Sequence, residues 1–85
     1  MNYQLVNEGT KNSIRLQSVG VVKGSPASEI KKGHVLMWNF GSTESVVDII
    51  KETPKTILIS IKSDCNGNLY ERRLKKDKIV CILSN

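Results

Sequence analysis

Eighty-five residues make one domain at most, too few for a barrel enzyme or a full dinucleotide-binding fold. With 39% hydrophobic and 25% charged residues, the chain has the make-up of a globular domain and not of a disordered tail. Thirteen Lys and Arg against eight Asp and Glu leave a net charge of +5, an excess that bears on solubility and association more than on fold.

Residues 3–6 open the chain as a short first strand, and the polar, glycine-containing run 7–12 turns it. A longer strand is expected over 14–22, with a bulge near 18–20 where the apolar phase slips. Ser25 is placed to cap a short helix that starts at Pro26, where a missing N–H costs nothing. Gly33 ends that helix in a left-handed turn. Residues 34–40 alternate as a strand.

The spacing of Val46, Ile49 and Ile50 at i, i+3 and i+4 predicts the main helix, over 42–53. Ser42 or Thr43 caps it, Glu44 sits in its positive first turn and Pro54 stops it. Residues 56–62 alternate strictly as a strand. Asn66-Gly67 is a strong hairpin signal, and 69–74 returns as the partner strand. After a basic turn at 75–78, residues 79–83 form the last strand. Six strands and two helices define a small α+β domain spanning 1–85.

The stretches Val19-Gly20-Val21-Val22-Lys23-Gly24-Ser25-Pro26-Ala27 and Ile30-Lys31-Lys32-Gly33-His34-Val35-Leu36-Met37-Trp38-Asn39-Phe40-Gly41, with the helix and strand after them, resemble a PDZ domain. The resemblance covers about 50 residues. It implies a partly open barrel or sandwich of about six strands with two helices. In it, 14–22 is the third strand of the family, 3–6 the peptide-binding second, and 79–83 takes the place of the first, as in permuted bacterial members. His34 stands where the family usually has Asp. Asn39 and Phe40 stand where an apolar residue and then Asn are usual. No Gly-Leu-Gly-Phe-like carboxylate loop precedes 3–6.

The resemblance implies capture of an extended peptide by β-augmentation. Its groove would run between Asn2, Tyr3, Gln4, Leu5 and Val6 on the strand and Thr43, Glu44, Val46 and Val47 on the helix. With the carboxylate loop absent, the Met1 amine, Lys51 or Lys55 would be left to attract a carboxylate. Trp38 and Phe40 form a second candidate contact, since aromatic anchors are enriched at interfaces.

Arg72, Arg73, Lys75, Lys76 and Lys78 make a basic run, but alternation splits Arg72 from Arg73, so it is not one face. The function expected is non-catalytic binding of a protein or peptide, by strand addition or through an apolar patch. A small basic structural or accessory protein, such as a viral one, acting by assembly with a larger partner is the first alternative. Weak, sequence-independent nucleic-acid binding is the second. One histidine, His34, and scattered carboxylates assemble no catalytic constellation, and no metal or cofactor is expected. Two cysteines without a C-x-x-C pattern, no visible signal peptide and no membrane-spanning run lead to a cytoplasmic expectation, with Cys81 buried and Cys65 exposed. The oligomeric state is left open.

Overall fold

The alternation of Ile57, Ile59 and Ile61 with Leu58, Ser60 and Lys62 sets the centre of the fold. Residues two apart in a strand share a face, and these three isoleucines are buried to 1% exposure or less. Each such burial is worth ~1.5–3 kcal/mol.

The computed structural model describes residues 2–83. Its strands are β1 (Ser13–Leu16), β2 (Gly20–Lys23), β3 (Ser25–Pro26), β4 (Val35–Met37), β5 (Thr43–Glu52), β6 (Thr56–Ser63), β7 (Leu69–Lys75) and β8 (Ile79–Ile82). β1 and β2 form a two-stranded sheet, and the others form a six-stranded sheet in the order β3-β8-β4-β5-β6-β7. Every pairing is antiparallel. Neither sheet closes into a barrel.

The chain is therefore mostly β, 54% strand, and the expected α+β class with two helices is overturned. The main helix over 42–53 is in fact β5. Its register against β6 shifts twice, between Val46 and Asp48 and between Ile49 and Lys51. Each bulge inserts one unpaired residue, Val47 and then Ile50, and so turns a two-residue repeat locally into three. Val46 and Ile49 face Ile61 and Ile59 on one side of the sheet, three residues apart along the chain. That spacing imitates a helix face. The local composition (Thr43, Val46, Val47, Ile49, Ile50) is β-branched and favours a strand.

The expected short helix at Pro26 reduces to a 3-10 turn, Ala27–Glu29, and Ser25 makes no cap to it. Ser25 and Pro26 instead bridge Val80 and Ile79. The strand expected over 14–22 is two strands, because Gln17, Ser18 and Val19 reverse the chain. Ser18 adopts φ 66° there, a left-handed position that closes a three-residue hairpin loop. The strand expected over 34–40 stops at Met37, since Asn39–Gly41 is a second 3-10 turn with Phe40 at φ 64°. Residues 2–6 form no named strand. The arm touches β2 through a Leu5–Val22 bridge, with Val6 N–H donating to Val21 O and Lys23 N–H to Gln4 O.

Side chains pack on both faces of the large sheet. Leu36, Val46, Ile57, Ile59, Ile61, Leu74 and Val80 pack with Ala27 and Ile30 of the turn segment. Met37 and Cys81 pack with Leu16 and Val22 of the small sheet. Gly24 joins the two layers. Its N–H donates to Asn12 O at 2.6 Å, and a Cβ there would stand 2.5 Å from Ile79 Cγ2 and 2.8 Å from Val80 O. Only glycine fits so close an approach.

Candidate functional site

The strand order leaves β7 at one edge of the large sheet. β7 is seven residues long and pairs with β6 without a register shift. Ser63 N–H donates to Asn68 O, and Lys76 N–H donates to Lys55 O. These two bonds set the alternation along the ladder: Tyr70, Arg72 and Leu74 direct their backbone groups into β6, and Leu69, Glu71 and Arg73 direct theirs away from it. No other strand pairs with β7 among the described residues. Leu69 is 66% exposed and Tyr70 46%.

The other sheet ends are poorer templates. β3 is only two residues long. Beyond Val46, β5 has no partner opposite β6 among the described residues, but its two bulges fall in that stretch. Bulges twist an edge away from further pairing.

Beside the β7 edge, on the face that carries Ile57, Ile59 and Ile61, lies a cluster built on Glu44. Trp38 Nε1 donates to Glu44 Oε1 at 2.6 Å, and Arg72 Nη2 donates to both carboxylate oxygens at 3.1 Å. The Arg72 guanidinium lies 4.7 Å from the centre of the Trp38 ring. The Glu44 side chain is 12% exposed and that of Arg72 40%. Bonds of this kind anchor the little-exposed carboxylate and fix the indole. A shallow polar cleft follows, lined by Ser42, Thr43, Glu44, Ser63, Cys65, Tyr70, Glu71 and Arg72. Asp64 accepts from Thr43 Oγ1 at 2.6 Å and from Ser45 Oγ at 3.2 Å, which ties the loop before β7 to β5. The side-chain amides of Asn68 and Asn66 reach the Tyr70 hydroxyl and hold its pKa below the ordinary tyrosine value.

The expected peptide groove is absent, because its helix wall is the central strand β5. Asn2, Tyr3 and Gln4 instead line a shallow pocket with Lys23, Gly24, Ser25 and Ile82. Thr43, Glu44 and Val46 lie within the sheet, and Val47 is an exposed bulge residue. The Met1 amine falls outside the described residues. Trp38 and Phe40 do not form one patch: Trp38 packs against the core and Glu44, and Phe40 is exposed on its turn.

The basic run divides as well. Arg72 faces Glu44, whereas Arg73 and Lys75 share the opposite face with Leu58 and Thr56. Lys76 pairs with Glu52 at 3.0 Å, and Lys78 lies in the turn before β8. His34 serves a turn, its Nδ1 accepting from Lys31 N–H. Cys65 is exposed and Cys81 buried, as the sequence led us to expect. Among the described residues, no helix is long and apolar enough to cross a membrane, and no group of His, Cys, Asp and Glu is placed to hold a metal.

Leu69, Tyr70 and Glu71 were not singled out by the sequence. Their hairpin was legible, but their edge position depends on the order of all six strands of the large sheet. No family model, curated protein or solved structure matches the chain, so the resemblance to PDZ domains is carried by its sequence punctuation alone.

Proposed function

We propose that the chain is a non-catalytic protein-binding module that takes up an extended partner segment along the edge of β7. The observation that carries this reading is the seven-residue, unbulged edge strand, whose Leu69, Glu71 and Arg73 backbone groups have no ladder partner among the described residues. Strand addition supplies affinity through the main chain and specificity through alternate side chains. An added strand would present one set of side chains to Tyr70 and the polar cleft, and the other to Leu69, Glu71 and Arg73. The Glu44–Arg72–Trp38 cluster keeps the cleft side of the edge rigid.

Binding of a polyanion is the weaker reading. Lys51, Arg73 and Lys75 do share the outer face, but Asp48 and Glu71 occupy its next row. Tyr70 lies on the opposite face, so that surface gains no stacking ring from β7.

The test is an amide-resolved titration of the labelled chain with pooled short peptides of β-forming composition. Shifts centred on residues 69–73, with slowed exchange of the Leu69, Glu71 and Arg73 amides, are expected. Shifts confined to residues 2–6, or no shifts in a folded spectrum, would overturn the reading.

A further inference from the structure

We infer that the strand β7 receives is β7 of a second copy of this chain, related by a two-fold axis at Arg72; this rests on the strand-addition reading above. The outward-directed positions are odd-numbered: Leu69, Glu71, Arg73 and, at the end of the strand, Lys75. An antiparallel copy centred on Arg72 sets Glu71 of each chain opposite Arg73 of the other, twice over, and Leu69 opposite Lys75. Opposite charges directly across a ladder stabilise it and like charges oppose it. Sliding the copies to centre on Glu71 would put two carboxylates face to face, so charge selects the first register. Among the described residues, neither Glu71 nor Arg73 forms an ion pair within its own chain, which leaves both available.

The axis also brings the two Arg72 residues together, but each guanidinium reaches back across β6 to its own Glu44 and is neutralised there. On that same face, Tyr70 meets Leu74 of the copy. The overlap ends at Lys75, before Lys76, whose carbonyl accepts Ser28 N–H. Such an isologous contact closes on itself as a dimer and joins two six-stranded sheets into one.

The experiment measures sedimentation equilibrium on the Cys65→Ser background, which removes the exposed thiol. The parent chain is expected to dimerise. E71R alone sets guanidinium against guanidinium, and R73E alone sets carboxylate against carboxylate. Each should weaken the dimer by about tenfold or more. An equimolar mixture of the E71R and R73E chains restores both pairs and should form a heterodimer. So should the E71R/R73E double variant form a homodimer.

A parent chain that stays monomeric at about 1 mM, or single swaps that leave the dimer intact, would overturn the inference. Dimers weakened by both swaps but rescued by neither the mixture nor the double variant would also overturn it, because the register would be wrong. The peptide titration, run on the E71R chain, separates the two readings. Slowed β7 amides there, together with a parent chain that stays monomeric, would retire the second copy and keep strand addition, and untouched β7 amides with a monomeric parent would retire both.

Discussion

Glu44 is where single-residue chemistry most affects this fold. Its carboxylate is little exposed and satisfied by Trp38 and Arg72. Removing the cation strands the anion, which costs more than removing both charges. Arg72→Met should therefore lower stability by about 1–2 kcal/mol, and Arg72→Met with Glu44→Gln by less than Arg72→Met alone. Denaturant unfolding followed by the emission of Trp38 checks both, because Trp38 is the sole tryptophan and sits in the cluster. Cys81 gives a pH signature. Burial raises its thiol pKa above the ordinary thiol value. The folded state then holds a proton that the unfolded state releases, so the stabilisation is complete below about pH 9 and is lost as pH climbs through the raised value. Stability measured from pH 7 to 10.5 should fall at the alkaline end, and Cys81→Ala should flatten that slope while lowering the neutral-pH value by about 1–2 kcal/mol.

β5 and β6 show what periodicity can and cannot reveal about an element. β6 was legible because Ile57, Ile59 and Ile61 keep a strict two-residue repeat, and Asn66-Gly67 correctly marked the turn into β7. β5 was not legible as a strand, because its two bulges space Val46 and Ile49 as a helix would. The β-branched composition was the remaining clue. The hairpin at 17–19 was missed for a similar reason: its left-handed position is filled by Ser18, not by a glycine or asparagine that would have marked the reversal. The bulge account makes a sharp contrast. Val47→Lys and Ile50→Lys should change stability by no more than ~0.5 kcal/mol, since both side chains are exposed. Val46→Ala should cost about 2 kcal/mol, since Val46 is 2% exposed in the core. A helix with Val46 and Ile50 on one buried face would make Ile50→Lys as damaging as Val46→Ala. Urea titrations of the three variants distinguish the cases.

At the scale of the whole molecule, the proposed binding edge follows from strand order, which no local pattern in the sequence encodes. β8, last in the chain, inserts between β3 and β4, and β7 is left outermost. The candidate groove was misread because one of its walls was assigned to a helix, and the surface that replaces it could be found only once the sheet was assembled. The basic run was rightly read as split between two faces, and the split now has causes: Glu44 holds Arg72 inward, and the pleat turns Arg73 outward. The most direct measurement of this account is residue-resolved amide hydrogen exchange of β7 at a concentration where the chain is monomeric. Tyr70, Arg72 and Leu74, bonded into β6, should exchange roughly a thousandfold more slowly than Leu69, Glu71 and Arg73. Equal protection at all six positions would mean that the outer edge is already covered, and would contradict it.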